Sequence, residues 1–190
     1  QQETRRQASD SVVDERTLRE IYLTGFEIAV KESDPKSIMS SYNLVNGVYA
    51  NENEHLLKDI LFDEWGFNGA VITDWGGSND HVAGVAAGSA FEMPGPCLNS
   101  ARELIDAVNT GKLSIDDVDA RVEEALSLII TTDEAKRAYP KTFDKDAHHE
   151  LARAIAAQGI VLLKNEAVEA TPLLPLDPKK TVALIGDYAK

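Results

Sequence analysis

The alternation of apolar and polar positions changes period several times along this chain, and each change marks an element. From Asp14, Leu18, Ile21, Tyr22, Gly25 and Ala29 recur at three- and four-residue spacing and predict a helix, which residues 31–36, with Pro35, bring to an end. Residues 37–43 predict a short strand, and Asn46-Gly47 a turn soon after it. A second helix is expected over 53–65, with Leu56, Leu57, Ile60 and Leu61 inward and Gly66 just past its end. Gly69-Ala70-Val71-Ile72-Thr73 is apolar without alternation, the pattern of a parallel strand buried on both faces. That strand stops at Asp74-Trp75-Gly76-Gly77. Small apolar residues over 78–87 predict a short helix, and residues 89–93 a third strand that Pro94-Gly95-Pro96 halts. Ser100 with Glu103 forms a capping box for a helix bearing Ala101, Leu104, Ile105 and Val108, closed by Gly111. Ser114 and Asp117 repeat the box, and Val118, Val122, Ala125, Leu126 and Ile129 continue the stripe.

Strand and helix therefore alternate with short connections, the pattern of a parallel α/β sheet or barrel. Three strands cannot close a barrel, so residues 1–132 read as the C-terminal part of a (β/α)8 barrel, opening on a polar loop over 1–10. Periodicity is lost over 131–144, and residues 133–145 are expected to be a linker. Residues 146–190 then begin a second α/β unit. A helix with Ala147, Leu151, Ala154 and Ile155 leads to expected strands at 159–163 and 181–185. One helix and two strands do not make an independent fold, so the expectation is of a chain cut at both ends.

Composition narrows the chemistry. The apolar and charged fractions, 43% and 27%, are those of a globular protein, and no apolar run is long enough to span a membrane. A net charge of −13 with no basic stripe argues against nucleic acid or anionic lipid as a partner and leaves neutral ligands open. Cys97 is the sole cysteine, which excludes an internal disulfide and a multi-thiolate metal cluster, and on that basis the cytoplasm is the expected compartment. The adjacent His148 and His149 would point to different sides of a helix, so no metal site is expected.

Two readings are open for Asp74 from its own stretch. It caps the helix that follows, or it is a functional carboxylate at the C-terminal end of a barrel strand, where such barrels place their chemistry. The wider motifs bear on the choice. IMSSYNLVNG (38–47), LLKDILFDEWGFNGAVITDWGG (56–77) and FEMPGP (91–96) resemble segments of the family 3 glycoside hydrolases, the β-glucosidase family. GIVLLKNE (159–166) and VALIGDYA (182–189) are similar to the opening of that family's second domain, an α/β sandwich, so the resemblance implies that residues 146–190 begin such a domain.

The resemblance implies a retaining, exo-acting β-glycosidase, most simply a β-glucosidase, that hydrolyses a small β-glucoside or oligosaccharide without a cofactor. Asp74 matches the catalytic nucleophile. Trp75 would wall the sugar site, Tyr42 would hold the nucleophile's carboxylate, Met39 would line the pocket, and Arg6, within QETRR, would bind substrate hydroxyls. The general acid/base would be a glutamate of the second domain, beyond Lys190. A subgroup of N-acetylglucosaminidases uses a barrel-loop histidine instead but usually lacks a second domain. Where the family usually carries an aspartate, this chain has Ala90; Glu92 is given a structural role, and His81 is expected on a surface loop. The alternatives are a β-xylosidase or α-arabinofuranosidase of the same family, or a carbohydrate-binding relative without catalysis.

Overall fold

Three parallel strands organise residues 1–139: β2 (Ser37–Ser40), β5 (Ala70–Thr73) and β6 (Ser89–Phe91), in the order β2-β5-β6. The computed structural model describes residues 3–95, 98–139, 142–168 and 171–189, and the chain divides into two compact units, Gln1–Tyr139 and Pro140–Lys190. The first is an α/β unit of helices packed on this parallel sheet. β2 and β5 pair from Ser37↔Ala70 through Ser40↔Thr73, whereas the β5–β6 register shifts between Val71 and Ile72. Ala70 and Val71 are wholly buried and Thr73 is 1% exposed, as an unbroken apolar run in a central strand requires.

Helices cover one face of this sheet. Asp14 caps the first of them, its Oδ1 accepting the Thr17 N–H at 3.0 Å. The helix runs through α1 (Glu15–Thr17), a wider π-helical stretch (Leu18–Leu23) and α2 (Thr24–Ser33), and ends where Asp34 turns left-handed before Pro35. A second π-helix, His55–Glu64, follows β2. Val30, Leu57, Leu61, Phe67, Val71 and Ala87 form the core, with Ile38, Phe62 and Trp65 against it. Val71 and its register partner Ile38 thus face the helices, and alternation puts Met39 and Ile72 on the opposite face.

α3 (His81–Ala87) is capped by Asp80, whose Oδ1 accepts the Ala83 N–H at 2.9 Å. α4 spans Leu98–Asn109, so Ser100 lies inside the helix instead of capping it, and its side chain is buried. α5 (Ile115–Ala138) begins at Ser114, as the second box predicts, with Oγ accepting the Asp116 N–H at 3.2 Å. It places Asp116 and Asp117 in its first turn and Lys136 and Arg137 in its last, each sign suited to the helix dipole. Residues 133–138, read as linker, are therefore helical; what ends near Thr131 is the apolar stripe, while helix-compatible polar residues carry the backbone further.

A small second sheet was not legible as strands. β1 (Asp10–Ser11) pairs parallel with β3 (Leu44–Val45), which forms a hairpin with β4 (Val48–Tyr49) through Asn46-Gly47. Both turn residues have positive φ, 53° and 86°, as a two-residue hairpin of this twist needs. Asn46 also ties the hairpin to the N-terminal segment, its Oδ1 accepting from Val13 N–H at 2.8 Å and its Nδ2 donating to Val13 O at 2.9 Å.

In the second unit α6 (Lys145–Gly159) forms behind an Asp144 cap, and β7 (Ala167–Val168) pairs antiparallel with β8 (Thr171–Pro172). The strands expected at 159–163 and 181–185 are not formed: Gly159 closes α6, and Leu163 and Ile185 are 91% and 90% exposed. A strand exists through its neighbour's backbone bonds, and a β-forming run with no adjacent edge stays irregular.

Candidate active site

Asp74 sits immediately past β5, at the C-terminal end of the central parallel strand. Its N–H donates to Ser40 O at 3.2 Å, continuing the β2–β5 ladder by one bond, and its own carbonyl accepts the Gly77 N–H at 2.9 Å, closing a tight turn. The turn depends on glycine twice. Gly76 has a φ of +76°, and a Cβ on Gly77 would lie 3.0 Å from Asp74 O and 3.6 Å from Tyr42 Cα. The helix that follows is capped by Asp80, so the capping reading of Asp74 is excluded. Asp74 is half-buried.

The other expected site residues fall around this turn with differing closeness. Tyr42, half-buried, lies two residues past β2, where its backbone abuts Gly77; it is not within the strand, which ends at Ser40. Trp75 follows Asp74 directly and is 47% exposed, leaving indole surface available to a ligand. Met39 is 52% exposed, opposite Ile72 in register and on the sheet face away from the core helices. Arg6 lies in an exposed turn, its guanidinium 3.8 Å from Glu3 Oε2. The same loop reaches the Asp74 turn through its neighbour, since a Cβ on Gly76 would lie 3.3 Å from Gln7 Nε2.

A cavity of about 830 Å³ lies elsewhere, between the first helix, the N-terminal strand and the π-helix His55–Glu64. Of the expected site residues only Met39 lines it, and its walls are mostly apolar side chains such as Leu18, Phe26, Leu57 and Ile60. Its polar lining includes Asp10, Asp14, Thr17 and three serines, none of them an expected site residue. Among the described residues no group of three or more His, Cys, Asp or Glu could hold a metal ion.

Residues 5–128 match the glycosyl hydrolase family 3 N-terminal domain. The chain belongs to that family. It is 46% identical over its whole length to thermostable beta-glucosidase B of Acetivibrio thermocellus, covering 24% of that protein. It is 38% identical, again over its whole length, to an exo-alpha-(1->6)-L-arabinopyranosidase of Bifidobacterium longum, of which it covers 25%. Among solved structures, beta-glucosidase 3B of Thermotoga neapolitana in complex with alpha-D-glucose aligns over 85% of this chain and 24% of that one, at 40% identity and a TM-score of 0.73. The chain thus spans about a quarter of the length of the relatives it matches.

Several residues that hold this family 3 turn in place escape sequence reasoning. Glu52 accepts the backbone N–H groups of Asn79 and Asp80 on Oε1, at 3.1 and 2.6 Å, and so fastens the loop that follows Trp75. Thr73 bonds both backbone groups of Met93 through its hydroxyl. Ser40, before the Tyr42 loop, donates to Asn51 Oδ1 at 2.8 Å within the interior. His81 is not on a surface loop: it opens α3, is one-fifth exposed, and places its ring nitrogens 3.4 Å from Glu92 Oε1 and 3.7 Å from Glu103 Oε2. Glu92 thereby has a partner at the end of β6, in keeping with a structural role. The charge pattern could have suggested this pair, but not that the fold brings together residues eleven positions apart.

Proposed function

We propose that this chain carries the nucleophile of a retaining, exo-acting β-glycosidase, a β-glucosidase. The observation that carries the reading is Asp74 at the C-terminal end of the central parallel strand, in a glycine-built turn beside an exposed indole. Family membership and relatives named beta-glucosidases support it. In a retaining mechanism the ionised Asp74 attacks the anomeric carbon, the glycosidic C–O bond breaks, and the leaving oxygen takes a proton from an acid on the opposite side of that bond. Water then cleaves the glycosyl ester, giving up its proton to the same group. The two carboxyl groups of such a pair stand about 5–5.5 Å apart. The proton donor is proposed to come from the part of the family architecture that this chain does not span, so the 190-residue chain by itself is expected to be inactive.

Trp75 packs on the C–H face of the sugar, Tyr42 holds the nucleophile, Met39 lines the pocket and Arg6 bonds substrate hydroxyls. In this reading residues 1–132 are the C-terminal part of a (β/α)8 barrel, 133–145 the linker and 146–190 the start of an α/β sandwich domain, and the lone Cys97 is the basis for a cytoplasmic location. Among the described residues no helix is long and apolar enough to cross a membrane.

A slow fluorosugar inactivator applied to the intact protein should esterify Asp74, placing the added mass on the peptide that contains it; label on another carboxylate would overturn the assignment. A pentosidase is the second reading, favoured by the relative named as an arabinopyranosidase. Comparing kcat/KM on aryl β-glucoside, β-xyloside and α-arabinosides decides between them, with the glucoside expected to lead.

A further inference from the structure

The end of β5 at Asp74 is tied to the strand or segment on either side. Toward β2 the bond is of ladder type, Asp74 N–H to Ser40 O. Toward β6 the register shifts after Val71, pairing resumes at Ile72↔Phe91, and the ladder ends with β6 at that pair. There Thr73 takes its place with a side chain: Oγ1 accepts the Met93 N–H at 2.7 Å and donates to the Met93 carbonyl at 3.2 Å.

Packing alone does not call for this hydroxyl. Thr73 is 1% exposed in a run of otherwise apolar residues, where valine would fill the same volume. A hydroxyl at such a site carries a desolvation cost that only its hydrogen bonds offset. Here both bonds reach one residue on the neighbouring segment, and they sit directly before the carboxylate.

We propose that Thr73 is a positioning residue, whose hydroxyl locks the Met93 segment against the end of β5 and so sets the direction in which the Asp74 side chain leaves the sheet. The proposal rests on the reading of Asp74 as nucleophile. Glu52 secures the downstream side of the same turn through Asn79 and Asp80, and the Thr73–Met93 link ties the β6 side beyond the last ladder pair, Ile72↔Phe91.

The test measures kcat and KM on an aryl β-glucoside with the intact protein, counting working sites with a slow fluorosugar. Thr73→Val keeps the volume and removes both bonds. Its kcat per titrated site is expected to fall about 10- to 100-fold, the scale on which small misplacements act. KM should change by less than about 3-fold, because ground-state binding does not need the carboxylate's exact direction. A merely structural role would lower the number of titrated sites and leave kcat per site unchanged. Thr73→Ser and Thr73→Ala lose the same methyl and differ only in the hydroxyl, so they carry the decision if Thr73→Val does not fold: the serine variant should keep most of kcat and the alanine variant should not. Wild-type kcat per site in Thr73→Val or Thr73→Ala, or a serine variant as impaired as the alanine one, would overturn the proposal. Asp74→Ala separates the two failures. If it retains turnover, the nucleophile reading itself is wrong; if it is inactive while Thr73→Val and Thr73→Ala are unimpaired, only the role of Thr73 falls.

Discussion

In the proposed mechanism Asp74 must leave its strand in a fixed direction, and the groups proposed to hold that direction make no contact with the reacting bond. Asp74, Trp75, Tyr42, Met39 and Arg6 could be singled out from the chain because they stand in local motifs. Thr73 and Glu52 could not, because their partners lie 20 to 28 residues away and are backbone groups, which carry no sequence identity. A second residue-scale cluster supports a direct measurement. His55 bonds Asp59 Oδ2 and Glu15 at 3.1 Å, and Glu15 also pairs with Arg19, which reaches Glu64. The Asp59 carboxylate beside it, with Glu15, raises the His55 pKa above 6.5, although partial burial opposes the shift. Because the folded-state value is the higher one, this contribution to stability is complete below the unfolded value and is lost as pH rises through the folded one. An NMR titration of the His55 ring should give a midpoint above 6.5, and Asp59→Asn should bring it down; an unchanged midpoint in that variant would contradict the assignment.

At the scale of elements, local signals served best where the chain makes its own partner. The Asn46-Gly47 turn and the cap at Ser114 form where the sequence places them, and the first helix begins at Asp14 as expected. The runs at 159–163 and 181–185 have the right composition and no ladder, since pairing depends on an edge that composition does not specify. Packing of α5 is likewise nonlocal. Arg121 donates to Val85 O at 3.3 Å, lies 5.4 Å from the Phe62 ring centroid and pairs with Glu124 at 2.5 Å, all with little solvent exposure. Burial pushes the Glu124 carboxyl up, and Arg121 opposes that shift. Arg121→Ala removes these contacts and leaves Glu124 without its partner, so it should cost about 2 kcal/mol in urea unfolding. The loss should shrink at low pH, where Glu124 takes up a proton. An equal loss at every pH would rule out this account of the helix's attachment.

Across the whole molecule, a net charge of −13 works against compactness through self-repulsion, and counter-ions relieve it. Raising salt from about 0.02 to 0.3 M shortens the screening length severalfold and should raise Tm by about 2–4 °C. A fall in Tm would mean that the surface pairs outweigh the repulsion. Sequence alone indicated a change of organisation between two α/β regions, but not that a helix of 24 residues would run to Ala138 before it. The hairpin turn carries a slower consequence. Asparagine followed by glycine is the dipeptide most prone to deamidation, through attack of the next residue's amide nitrogen on the side-chain carbonyl. In this fold the Asn46 amide is held at both ends by Val13, and the Gly47 N–H is engaged with Asp10 Oδ1 at 3.0 Å, so the native state shelters it. Each unfolding event exposes it, and the aspartate that results would set an oxygen against the Val13 carbonyl where a donor had been. The fastening of the N-terminal segment is therefore open to this slow chemical loss in proportion to the time the chain spends unfolded.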